Sequence, residues 1–157
     1  MSYEPQVAEK SREELLIEHL SSILADTYLL YTKTQGCHWN VVSPLFYALH
    51  KLFEEQYREL AEAVDLLAEQ IRTLGSLAPA SLQQFLELST LDEMRVPQEA
   101  PLMIKSLSDD HKKIAHRLRT GVQLAEELQD VAVADLYTDR IRQHDKMRWM
   151  LESHVLG

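Results

Sequence analysis

A chain of 157 residues, 45% apolar and 26% charged, is long enough to bury one core and has the balance of a soluble domain. A net charge of −9 argues against a body that holds nucleic acid by charge alone, and the single Cys37 excludes an intrachain disulfide framework or a cysteine-based zinc site. With four Gly and five Pro, no apolar run of membrane-spanning length and no secretory-leader pattern, an all-β or membrane protein is excluded and a cytoplasmic setting is expected.

Residues 1–8 read as a short flexible tail, with one folded domain expected over 9–157. Ser11 followed by Glu14 has the spacing of a capping box. From there Leu16, Leu20, Ile23, Leu24, Thr27, Leu30 and Tyr31 recur at threes and fours, which predicts an amphipathic helix ending near Gly36, with His38 and Trp39 on or just past its last turn. Pro44 suits the first turn of a second helix, with Ser43 as N-cap. Phe46, Leu49, Phe53, Leu60, Val64, Leu67 and Ile71 carry that helix to Gly75. A short helix is predicted over 81–88, after Pro79. Pro97 and Pro101 bracket the approach to a third long helix, and a fourth starts near Val133. The fold expected is all-α: a four-helix bundle with a short extra helix in the crossover between the second and third long helices.

The stretch from His38 to Glu69 carries the chemistry. His50 and Glu54 stand at i and i+4 on one helix face, and Asp65 and Glu69 repeat that relation. Imidazole and carboxylate donors suit an iron-type cation. Asp65, between Val64 and Leu66, is expected to border the apolar face, where an unpaired carboxylate is costly. Glu54 and Asp65 are separated by roughly 16 Å of helix rise, so the two pairs cannot serve one ion within one straight helix. Either there are two sites, or two copies of the helix lie antiparallel across a twofold axis and each supplies half of a site. No Glu precedes any of the seven His by three residues, which argues against an intrachain Glu-x-x-His di-iron centre. His19, His111, His116, His144 and His154 read as ordinary packed or solvated side chains.

His38-Trp39-Asn40-Val41, Phe46, Leu49-His50, Phe53-Glu54, Tyr57, Asp65 and Ala68-Glu69 resemble the signature of the Dps proteins, the small ferritins named for DNA protection in starved cells. The resemblance covers most of the chain and extends to the C-terminal helix. It implies a ferritin-like bundle and a homo-oligomeric, dodecameric shell. Iron-binding catalytic centres would lie at its twofold interfaces, with His38, His50 and Glu54 from one subunit and Asp65 and Glu69 from its neighbour. Such centres would bind iron as Fe(II) and Fe(III), with a two-metal site as an option, oxidise Fe(II) with hydrogen peroxide or oxygen, and store the ferric product. Trp39 would pack the site or intercept a stray oxidising equivalent, packing being favoured. Asp130, Asp135 and Asp139 fall where the family has acidic entry pores, although Asp130 equally suits a helix N-terminus. Departures include Glu54 for the frequent Asp, Ser43 for Gly, and Gln70 for an Arg that braces the interface. A DNA-compacting nucleoid protein with incidental iron chemistry is the alternative. It is disfavoured because Lys10 and Arg12 are outnumbered by Glu4, Glu9, Glu13 and Glu14 in the N-terminal segment.

Overall fold

The structure, a computed structural model, describes residues 9–95 and 99–154. The tail expected over 1–8 and Pro97 lie outside the described residues. The helices are α1 (Arg12–Asn40), α2 (Phe46–Thr73), α3 (Leu82–Leu88), α4 (Ala100–Glu127) and α5 (Val131–Glu152). Among the described residues no helix is long and apolar enough to cross a membrane.

Local chemistry sets most of the ends. Ser11 and Glu14 form the expected capping box of α1. That helix runs through Gly36 to Asn40, because a glycine at a helical conformation weakens a helix without breaking it. Ser43 is not the N-cap of α2. It sits one turn earlier, its Oγ accepting from the Leu45 amide at 3.1 Å and its carbonyl from that of Phe46 at 2.9 Å, so Pro44 belongs to the turn and α2 begins at Phe46. Gly75, at φ 86°, closes α2 in the left-handed region where a side chain would be strained. Ser81 caps α3 through the Gln84 amide, and Pro101 lies inside the first turn of α4 rather than before it. Asp130 caps α5 by accepting from the Val133 amide at 3.0 Å.

Pairings across the bundle give the topology. Arg12 meets Glu127, Asp26 meets Arg117 and Lys33 meets Asp110, so α1 and α4 are antiparallel. Glu59 meets Arg140, and Gln56 donates to the Met147 carbonyl, so α2 and α5 are antiparallel too. With α1–α2 and α4–α5 as hairpins, the order is up-down-down-up, and the long link carrying α3 spans the bundle from α2 to α4. Leu20, Leu24, Leu30, Phe53, Leu60, Leu67, Met103, Leu107, Leu118 and Tyr137 fill the core. Gly121 allows a close approach: a Cβ there would overlap the Tyr137 ring.

The end of the crossover is pinned by buried charge. Asp26, wholly inaccessible, accepts from Ser89 Oγ at 2.8 Å and from the Thr90 amide and hydroxyl at 2.6 and 3.0 Å, and pairs with Arg117. Lys33 donates to the Asp92 carbonyl at 2.8 Å. A buried carboxylate with this many donors compensates its desolvation and fixes the link against α1.

Candidate functional site

Antiparallel packing of α1 on α2 brings the last turn of one helix against the first turns of the other. Val41, buried, ends α1 by donating to the Cys37 carbonyl, and five residues later the chain enters α2. His38 and His50 therefore meet. Their rings stack with centroids 3.8 Å apart and planes 14° from parallel. Each Nδ1 lies against the other residue's backbone carbonyl, His38 to His50 at 2.8 Å and His50 to His38 at 2.7 Å.

A carbonyl oxygen only accepts, so both Nδ1 atoms carry the proton. In the neutral imidazole the Nε2 atom of each ring then holds the lone pair. The same contacts satisfy the His38 carbonyl, which the end of α1 leaves without an intrahelical donor. A ring nitrogen donating to a carbonyl is how a protein fixes the tautomer and angle of a metal-binding histidine. Phe46 stacks on His50 at 5.0 Å, and Tyr57 meets His38 edge-on at 5.2 Å. His38 is buried and His50 half-buried.

Glu54 lies one turn beyond His50, half-buried and held by Arg58 at 2.9 Å and Lys51 at 3.3 Å. Hydrogen bonds from Arg58 and then Lys51 keep its carboxyl below the usual range, so it is ionised. The two cations stand three residues before and four after it, a spacing legible in the sequence that singling out the acid alone passed over.

Asp65 and Glu69 are at the other end of α2, both exposed. The expectation that Asp65 borders the apolar face is not met. The buried stripe runs through Leu60, Ala63, Leu67 and Ile71, and residue 65, two positions past Ala63, turns to the opposite side. Among the described residues no three His, Cys, Asp or Glu side chains converge as a metal cage. The single chain thus brings together two of its five candidates, places Glu54 beside them, and leaves two acids far away on the same unbroken helix.

Trp39 does not pack this site within the subunit. It is 65% exposed and lines a separate cavity with Tyr28 and Met94. Asp130 is engaged as the cap of α5, whereas Asp135 and Asp139 are exposed and one turn apart. A second histidine pair had no sequence signal beyond its core spacing: His111 and His144, fully buried, meet Nδ1 to Nδ1 at 2.9 Å.

A ferritin-like domain family model matches residues 17–156. An uncharacterized low temperature-induced protein from Nostoc is 41% identical over 145 residues, covering 90% of this chain and 80% of that one. The DNA protection during starvation protein 2 of Bacillus anthracis is 32% identical, covering 89% and 96%. Among solved structures, a Dps protein from Vibrio cholerae O1, described as a member of a broad superfamily of ferritin-like diiron-carboxylate proteins, superposes with a TM-score of 0.88 at 29% identity and covers 99% of this chain and 98% of that one. The chain belongs to the ferritin-like family and, within it, to the Dps proteins.

Proposed function

We propose that this protein is a ferroxidase and iron store whose metal centres are completed between subunits. The observation that carries the reading is the reciprocal lock of His38 and His50, which commits both Nδ1 atoms to backbone carbonyls and leaves Nε2 of each neutral ring as the atom that could bind a metal. The diiron-carboxylate description of the Vibrio cholerae relative supports iron as the substrate. In this reading His38, His50 and Glu54 of one subunit face Asp65 and Glu69 of a twofold-related neighbour. Antiparallel copies of α2 would bridge the distance that one copy cannot.

The division of labour follows from donor chemistry. Two imidazoles hold Fe(II) without adding charge, and the carboxylates stabilise Fe(III) once it forms. Glu54, already ionised, needs only to turn from Arg58 and Lys51 toward the metal. Hydrogen peroxide takes up two electrons, one from each of two Fe(II) ions. The ferric product would collect inside a dodecameric shell in the bacterial cytoplasm, with Asp135 and Asp139, and Asp130 to the extent its capping role allows, lining an acidic route for incoming Fe(II). Iron and peroxide removed together would no longer yield hydroxyl radical. DNA compaction is the weaker reading, since a net charge of −9 opposes it.

The test supplies apo-protein with Fe(II) and then peroxide under anaerobic conditions, following ferric absorbance alongside native mass. Wild type should oxidise iron as an oligomer. Oxidation no faster than in His38→Ala/His50→Ala would sink the proposal.

A further inference from the structure

We infer that the cavity between α1 and α3 is a binding site for an amphipathic organic ammonium ion, a cationic head carried on an apolar chain. The inference does not depend on the iron chemistry.

Helical phase separates this cavity from the candidate metal site. At about 100° per residue, Gly36 on the cavity floor and His38 point to opposite sides of α1, roughly 160° apart. The volume is about 390 Å³, within the span of small-molecule sites. Tyr28 and Trp39 both line it, and the helix between them rises roughly 16 Å, so the cavity is a slot along α1.

The two ends of the slot differ. At one, Tyr28 stacks on Phe85 of α3 with ring centroids 4.4 Å apart, an apolar wall. At the other, Trp39 is 65% exposed. Met94 accepts from the Cys37 thiol at 3.5 Å, which brings its neighbour Glu93 to the Trp39 end. Gly36 lies between. A glycine inside a helix weakens it relative to alanine, yet a Cβ at this position would meet nothing within 4 Å. No contact within the chain requires the missing side chain. What the glycine supplies is room, because a side chain there would grow into the slot.

Charge selects the occupant. Lys33 also lines the slot, but its Nζ pairs with Asp110 at 2.5 Å and donates to the Asp92 carbonyl at 2.8 Å. It presents a methylene stem, with its charge already answered. Glu93 is exposed and enters none of the ion pairs among the described residues. The uncompensated charge at the slot is therefore negative, and the net charge of −9 adds to it. An ammonium at this end meets the Trp39 ring and the Glu93 carboxylate together. Its alkyl chain then lies over Gly36 toward Tyr28 and Phe85, where apolar surface leaves water. A bare metal ion would leave that length unfilled, and an anion would face Glu93.

Calorimetric titration of the assembled protein with hexyltrimethylammonium tests this. Tetramethylammonium serves as the head alone, and hexanesulfonate as the same chain with the opposite charge. Wild type should bind hexyltrimethylammonium, bind tetramethylammonium at least about tenfold more weakly, and show no heat with hexanesulfonate. Gly36→Leu should abolish binding while native mass and unfolding midpoint are kept or raised. Glu93→Gln and Trp39→Leu should each weaken binding on the order of fivefold. Hexanesulfonate binding as tightly as the ammonium, or unchanged affinity in Gly36→Leu, overturns the site. Should Gly36→Leu misfold, unchanged affinity in both Glu93→Gln and Trp39→Leu overturns it independently. A wild type that binds none of the three probes also overturns it. If native mass then falls in Gly36→Leu, the slot is filled by a second copy of the chain instead.

Discussion

Two pairs of histidines meet across neighbouring helices in this chain, and they differ in which ring nitrogens are left over. His38 and His50 spend their Nδ1 protons on backbone carbonyls and keep both Nε2 lone pairs free. His111 and His144 spend a nitrogen each on one another at 2.9 Å. The Arg140 guanidinium faces His144 Nε2 at 3.5 Å, and Arg140 is itself paired with Glu59. Arginine has no acceptor, so His144 carries its proton on Nδ1 and donates to His111. That leaves His111 an Nε2–H without a partner among the described residues. In the proposed site the first pair would offer its lone pairs to a cation, whereas burial holds the second neutral. A histidine's role follows from what occupies its other nitrogen, and pairing alone does not reveal it.

The largest expected effect separates the pairs by activity. His38→Ala/His50→Ala should lower the iron oxidation rate on the order of 10²-fold, at the upper end of what lost metal-site contacts do. An acid-deficient Asp65→Asn/Glu69→Gln chain should be similarly impaired alone. Co-assembled at equal ratio, the two defective chains should regain about a quarter of wild-type sites, because half the dimers are mixed and each has one intact site. No recovery in stopped-flow assays of mixed assemblies would argue that the five residues do not share an intersubunit site. The comparison itself breaks if a folded His111→Gln/His144→Gln variant loses as much activity as the first.

The second effect separates the pairs by stability. Burial, and then the nearby Arg140 charge, push His111 down to about 3, and His144 is lowered by burial, His111 and Arg140. The folded protein thus resists protonation that the unfolded chain accepts near 6.5. Stability from the pair is complete above that value and is lost as pH falls toward 3. Between pH 7 and 5, His111 alone should reduce the folding equilibrium about 25-fold, or ~2 kcal/mol. Denaturant midpoints measured across that interval should fall in wild type and flatten in the His111→Gln/His144→Gln variant. Parallel curves would mean that the buried pair does not set the acid response.

Much of this was legible beforehand, and the gaps have physical reasons. The four long helices follow from apolar spacing and caps, and the rise per residue between Glu54 and Asp65 alone keeps the two donor pairs of one helix apart. The two apolar neighbours of Asp65 suggest burial, whereas helical phase relative to Ala63 and Leu67 puts it outside. Gly36 reads as a helix end in the sequence, yet α1 runs on to Asn40, because one glycine weakens a helix without ending it. The ring-to-carbonyl lock of His38 and His50 could not be read at all, since it depends on the register of two helices packed antiparallel, which local sequence does not encode. The same holds for His111 and His144: core spacing around Leu107, Ile114, Met147 and Leu151 predicts burial, but not that the rings find each other.

The smallest effect concerns the charges around each pair. Inside the bundle Arg140 is 2% exposed and locked to Glu59, so its positive charge is fixed beside the imidazoles. At the candidate metal site Arg58 and Lys51 are exposed, and they hold Glu54 only through surface contacts that water and salt weaken. A divalent cation entering beside His38 and His50 competes with both for the same carboxylate and is repelled by their charge. Arg58→Gln should therefore tighten Fe(II) binding a few-fold under anaerobic titration, with no measurable change in the unfolding midpoint. The gain should shrink as salt is raised, because screening removes the same repulsion in wild type. Weaker binding in that variant would reverse the assignment, making Arg58 the residue that aims Glu54 at the metal rather than one that withholds it.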